Sequence, residues 1–256
     1  MGAIVTTALG TPRGPVSVDL PVPSRALAIA AHPDDVEFGC GATLAKWAAA
    51  GCEVSHLILT DGSKGTWDEH ADTVALAAER QVEQRAAAAA LGATGEVVML
   101  GVVDGDLQAT LDRREEVARW IRRLRPDVVL GHDPWKRYRL HPDHRHAGWL
   151  TVDGVVAARD PHFHPDHEVP HHRPSALLLF EADEPNHVED VGGHVDTKIA
   201  ALLEHRSQLR STMFIDEDDD GTQLAAFRQR VLDRLAAMGA MAGVAQGEAF
   251  HALTDL

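Results

Sequence analysis

Two short segments carry residue types that do hydrolytic chemistry. One is the turn His32-Pro33-Asp34-Asp35, and the other is His141-Pro142-Asp143-His144. Imidazole and carboxylate both ligate zinc, at about 2.0–2.2 Å. A tight turn can aim His32 and Asp35 at one point, leaving Asp34 near a metal but not on it. The same aspartates also suit a plainer task, capping the helix that follows. His141 and His144 are three residues apart, and proline often opens a helix, so His144 falls in a first turn and His141 just before it. They need not share a metal: one can ligate while the other donates a proton or stabilises an oxyanion. Asp143 can orient His141 by accepting from its ring N–H.

These segments follow strands. Residues 26–31 (ALAIAA) form a short apolar run that reads as a buried strand, 41–50 as a helix ended by Gly51, and 53–60 (EVSHLILT) as a second strand. A strand–helix–strand unit of this kind pairs its strands in parallel. The alternation continues with a helix over 72–91, a strand over 96–100, a helix over 112–124, a strand over 127–130, a helix over 142–158 and a strand over 176–180. Late helices follow over 196–206 and 224–238. The expected fold class is therefore α/β, a mostly parallel sheet with helices on both faces and right-handed crossovers. Residues 1–24, with four prolines, read as an extended N-terminal arm, and 25–256 as a single domain.

Ligands of such sheets bind outside the carboxyl ends of the strands. That edge carries 31–35 after the first strand, 60–65 after the second, Asp104-Gly105-Asp106 after the third, and 131–133 leading to 141–144 after the fourth. Acids and histidines crowd it, as in a metal site.

The formal net charge is −15, from 39 acidic against 24 basic side chains. No basic stripe exists, which argues against nucleic acid and against an anionic membrane surface. No run of 18 apolar residues spans a membrane, and residues 1–24 lack a basic segment followed by an apolar core. Cys40 and Cys52 flank the expected short helix, too far apart to bridge, and read as reduced residues of a cytoplasmic protein. Residues 216–220 (DEDDD) read as a solvated loop rather than a calcium site.

At this point the residues match a known family. AHPDD at 31–35 followed by GCGATLAKWAAAG, and HPDHRHAG at 141–148, resemble the LmbE-like (PIG-L) zinc-dependent de-N-acetylases. TDGSKG at 60–65, RQVEQRAAAAALG at 80–92, PNHVEDV at 185–191, HRSQ at 205–208 and GEAFHAL at 247–253 extend the resemblance over nearly the whole chain after residue 25. The resemblance implies a Rossmann-like fold, with His32, Asp35 and His144 as zinc ligands and Asp34 as general base. It implies that His141 stabilises the oxyanion or protonates the leaving amine. Arg80 and Asp104 match family positions that hold substrate; the plainer readings are a surface ion pair with Glu79 or Glu83 and an ordinary turn residue. The implied substrate is a small N-acetylated amino-sugar conjugate. Three protein ligands leave one zinc position for water, and zinc lowers the pKa of such water to about 7.

HPDH recurs at 164–167, in the Pro- and His-rich stretch 161–174. It follows no strand directly and opens no apolar helix, so it reads as a loop. Tyr138, three residues before His141, matches a mobile family tyrosine only inexactly and is left outside the site. The rival readings are an amidase of thiol-sugar S-conjugates with a larger acyl group, and a catalytically silent zinc-binding protein, against which intact Asp34 and His141 weigh. A dinucleotide fold fails on G-x-G-x-x-G, since Leu44 stands at its last glycine. A nitrogen and oxygen donor set of this kind suits zinc and also accommodates iron or cobalt.

Overall fold

The computed structural model describes residues 9–256. The part of the expected arm before residue 9 lies outside the described residues. In chain order the elements are β1 (Ser17–Val18), β2 (Arg25–Ala30), α1 (Asp35–Ala49), β3 (Glu53–Thr60), α2 (Thr73–Ala90), β4 (Val97–Val102), α3 (Leu111–Leu124), β5 (Val128–His132), α4 (Pro142–Arg159), β6 (Ala176–Phe180), β7 (His187–Asp190), α5 (Val195–Leu203), α6 (Thr222–Gly239) and β8 (Gly247–Leu253). A 3-10 turn (Arg206–Gln208) and a π-helical turn (Leu209–Met213) link α5 to α6.

The strands form one sheet in the order β1-β7-β8-β6-β5-β2-β3-β4. β2 to β6 pair in parallel, whereas β8 runs antiparallel to β6 and β7. The parallel, Rossmann-like α/β core is as the alternation predicts. β2, β5 and β6 are buried nearly throughout, as strands covered on both faces must be. Leu27, Ile29 and Val129 pack with Val117, Ile121 and Leu150 of α3 and α4 on one face. Ala28, Leu130 and Leu178 pack with Leu44 and Trp47 of α1 on the other.

The chain leaves β2 toward β3 and β4 on one side, then returns to lay β5 and β6 on the other. The order therefore reverses between β2 and β5, and a crevice opens there at the carboxyl edge. Ile29 of β2 stands opposite Gly131 of β5, so His32 and His132 leave the sheet side by side. Two glycines let the helices close on that edge. A Cβ at Gly39 of α1 would meet the Phe180 ring at 2.7 Å, and one at Gly148 of α4 would meet the His132 carbonyl oxygen at 2.8 Å.

The first helix differs from expectation. It starts at Asp35, six residues before the expected Gly41, and kinks at Cys40, where φ is −147°. The kink frees the Ala42 and Thr43 N–H groups, which donate to the buried Glu248 carboxylate at 3.1 and 2.8 Å. Lys198 Nζ neutralises Glu248 at 2.6 Å. The glycine-flanked break that reads as a helix start is thus a capped kink. Cys40 lies inside α1 rather than at its end, and both thiols are free and buried.

Candidate active site

His32 and Asp35 stand where β2 gives way to α1, and His144 stands in the first turn of α4, with His141 as its N-cap and Pro142 at the first helical positions. Three donor groups converge. His32 Nδ1 lies 3.2 Å from Asp35 Oδ2 and 3.2 Å from His144 Nε2, and His144 Nε2 lies 3.2 Å from Asp35 Oδ1. Ligands about 2.0–2.1 Å from a tetrahedral ion stand about 3.3–3.4 Å from each other; the two histidine nitrogens meet that spacing, and each meets it with a different oxygen of Asp35. Two imidazole nitrogens aimed at each other at that range also need a cation or proton between them.

The partners of His32 set its tautomer. Its Nε2 faces Asp143 Oδ2 at 3.1 Å and Asp104 Oδ1 at 3.2 Å, and neither carboxylate can donate. The ring proton therefore sits on Nε2 and leaves the Nδ1 lone pair facing the triangle, as a ligating histidine requires. Burial opposes a charge on His32, but hydrogen bonds that its ring donates to Asp104, Asp143 and Asp35 outweigh it and raise its pKa well above the ordinary value. Asp35 is held well below the usual carboxylate range: burial works the other way, and the charges of His144 and His132 overcome it.

Asp143 departs from its expected role. Its carboxylate accepts from Gly105 N at 2.6 Å and Leu107 N at 3.2 Å and faces His32, so it orients His32 and anchors the loop after β4 rather than orienting His141. His141 is exposed, with its ring 4.6 Å from that of His32 and 4.9 Å from that of His144. Burial, then the charges of His32 and His144, lower its pKa.

Asp34 adopts φ 102°, a left-handed conformation that costs a non-glycine residue free energy. Its N–H donates to Gln84 Oε1 at 3.0 Å, and Gln84 Nε2 donates to Glu37 Oε1 at 2.9 Å. Arg80 fixes the same turn: its guanidinium donates to the Gly62 carbonyl at 2.9 Å and to the Pro33 carbonyl, and lies 3.3 Å from Asp34 Oδ2. Burial raises the Asp34 carboxyl to about 6, with Arg80 pulling it down and Asp35 pushing it up. Arg80 is only 3% exposed, so the plainer alternative of a surface ion pair with Glu79 or Glu83 does not describe it. Asp104 is also buried, holding His32 with one oxygen and Lys64 N, at 3.1 Å, with the other.

Several contributors had no role assigned from the sequence. His132, the last residue of β5, lies 3.3 Å from Asp35 Oδ2, and burial drives its pKa down to about 4 against the charge of Asp35. Its place at the sheet's carboxyl edge was the available signal. Arg139 Nη1 lies 3.0 Å from His144 Nδ1 and pairs with Glu181. Since Arg139 only donates, the neutral His144 ring carries its proton on Nε2; ligation through Nε2 would need that proton to move to Nδ1, with Arg139 turning wholly to Glu181. Metal-binding residue types cluster here in three overlapping groups: His32 with His141 and His144, Asp35 with His132 and His144, and His32 with Asp104, His141 and Asp143. A cavity of about 790 Å³ opens beside Asp35, His132 and His144, walled by Phe38, Phe214, Phe227, Val231 and Leu235.

A parallel sheet with its strand-order reversal between β2 and β5, and a His–Asp cluster set in that crevice, defines a class of hydrolase-like α/β domains, and comparison with known proteins narrows it. Residues 27–155 match the PIG-L family model, GlcNAc-PI de-N-acetylase. The chain belongs to this family. It is 36% identical over 187 residues to a diacetylchitobiose deacetylase of Thermococcus kodakarensis, covering 72% of this chain and 70% of that one. It is 31% identical over 232 residues to a 1D-myo-inositol 2-acetamido-2-deoxy-alpha-D-glucopyranoside deacetylase of Mycolicibacterium gilvum, covering 72% and 81%. The crystal structure of the N,N'-diacetylchitobiose deacetylase from Pyrococcus horikoshii superposes with a TM-score of 0.79 at 30% identity, over 91% of this chain and 84% of that one.

Proposed function

We propose that this protein is a zinc-dependent N-deacetylase that hydrolyses the acetamide of an N-acetylglucosamine conjugate, with His32, Asp35 and His144 holding the metal. The observation that carries this reading is the 3.2 Å triangle of His32 Nδ1, Asp35 carboxylate and His144 Nε2. The substrates in the names of the two relatives, diacetylchitobiose and an inositol 2-acetamido-2-deoxyglucopyranoside, support the substrate class.

A divalent zinc ion there, when bound, acidifies water and polarises an amide carbonyl. The protein's own groups do the rest. Asp34 accepts the proton of the attacking water; a buried carboxyl raised to about 6 is ionised at neutral pH yet basic enough to take it. Arg80 and Gln84 keep Asp34 in its left-handed conformation, and Asp104 and Asp143 keep the proton of His32 on Nε2. His141, on the exposed side of the cluster, stabilises the developing oxyanion or passes a proton to the departing amine. With their polar groups turned on Asp34 and His32, Arg80 and Asp104 act first as positioning residues and only through them on the sugar. The free thiols fit a cytoplasmic location.

One observation favours a second reading. The aromatic cavity beside His144 has room for an acyl group larger than acetyl, as an amidase of conjugates would need. Replacing Asp34 by Ala tests the reaction itself. The variant is expected to lose about 10²–10⁴ in kcat while keeping its metal. Full activity in Asp34→Ala would overturn the base assignment.

A further inference from the structure

The second His-Pro-Asp-His segment, at 164–167, is not a bare loop. It folds onto α3 and brings His164 and His167 to Glu115. His164 Nδ1 lies 3.4 Å from Glu115 Oε2, and His167 Nε2 lies 3.3 Å from Glu115 Oε1. One donor atom from each of the three falls within 4.8 Å of the others. The two rings stack at 5.1 Å, with 14° between their planes.

The donor set resembles that of the active site, with a glutamate in place of the aspartate and its Oε1 also accepting from Arg119 at 3.0 Å. There, a histidine Nδ1 (His32), both oxygens of a carboxylate (Asp35) and a histidine Nε2 (His144) converge, with an arginine Nη1 behind the last ring at 3.0 Å. Here the set is His164 Nδ1, both oxygens of Glu115 and His167 Nε2, with Arg122 Nη1 behind the last ring at 3.1 Å. A charge-assisted hydrogen bond between imidazolium and carboxylate closes to about 2.7–2.9 Å, and both contacts are longer than that. They match instead the roughly 3.3–3.4 Å edge of a tetrahedral site.

One further feature fits a ligand rather than a plain contact. Arg122 does not depend on His167: it donates to the carbonyls of Ala157, Ala158, Asp160, Phe163 and His164. It can release Nδ1 when a metal takes Nε2.

We infer that Glu115, His164 and His167 form a second, peripheral site for a divalent transition metal of the zinc type, which fastens the histidine-rich loop to α3. Nitrogen and oxygen donors from three side chains leave the remaining positions to water. Arg119 and Arg122 flank the site and oppose a cation, so it binds more weakly than the active-site cluster.

The test is zinc stoichiometry of the intact chain after equilibrium dialysis against zinc, with metal counted by elemental mass spectrometry. The wild type is expected to hold a second zinc ion beyond the one at the active site. Glu115→Gln and His164→Ala should each lose only that second ion and keep full amine-releasing activity, whereas His144→Ala should keep the second ion and lose the first. Glu115 is part-exposed and its glutamine isostere nearly the same shape, so this variant reads the site even if a histidine replacement unfolds the loop. A wild type that holds a single ion, or a second ion that survives both Glu115→Gln and His164→Ala, overturns the assignment.

Discussion

Asp34 shows how much of the site rests on single side chains. Its φ of 102°, its N–H bond to Gln84 and its carboxylate beside Arg80 form one unit. If Arg80 positions Asp34, Arg80→Gln lowers kcat with little change in KM, because the lost interaction acts on the reacting group. If Arg80 instead grips substrate, KM rises and kcat holds; steady-state kinetics on one acetylated sugar separates the two. His205 supports the same turn from below, with Nε2 at 3.2 Å from Glu37 Oε2. Burial opposes its charge, but the hydrogen bond and charge of Glu37 outweigh that and raise its pKa above 6.5. A raised folded-state pKa stabilises fully below the unfolded value and is lost as pH climbs through the folded one. Wild type should therefore exceed His205→Asn in thermal midpoint by more at pH 6 than at pH 9. A difference that stays constant with pH would contradict a charged His205. The set His32, Asp35 and His144 was an expectation of the family resemblance, helped by both motifs following strands of one sheet. The pairing of Asp143 with His32 was not read, because nothing in the motif says which way Asp143 turns in the first turn of α4.

At the scale of elements, the carboxyl edge was legible because each strand from β2 to β6 is an apolar run bounded by turn residues. β7 and β8 were not, and the reason is physical. Their interior positions include His187, Glu189 and Glu248, all buried, which in sequence look like surface. Each is matched by a partner that folding alone supplies: Lys46 Nζ on Glu189 at 2.9 Å, Lys198 Nζ on Glu248, and Glu189 on His187 at 3.0 Å. α4 carries His144 to the cluster only because Gly148 lets it approach β5. A side chain there would meet backbone at 2.8 Å, which cannot give way as a flexible side chain can. Gly148→Val should cost about 1–3 kcal/mol of stability and weaken metal binding, since α4 must move away from β2. Denaturant unfolding and metal titration measure both effects, and an unchanged metal affinity would mean that α4 does not set the position of His144.

For the whole molecule, the reversal of strand order between β2 and β5 puts the proposed ligands, from two separate parts of the chain, into one crevice. Metal bound there would link the loop after β2 to α4 and stabilise the folded state by mass action. Removing it with a chelator should lower the thermal midpoint reversibly. Among the described residues no helix is long and apolar enough to cross a membrane. The formal charge of −15 leaves recognition of an uncharged sugar to the shape of the cleft. The most direct measurement of the central claim pairs zinc content with amine release from N,N'-diacetylchitobiose, in wild type and in His144→Ala. The expected result is active-site zinc and amine release in wild type, with both lost in the variant. Deacetylation that persists in His144→Ala with its active-site zinc retained would contradict the ligand set and the mechanism built on it.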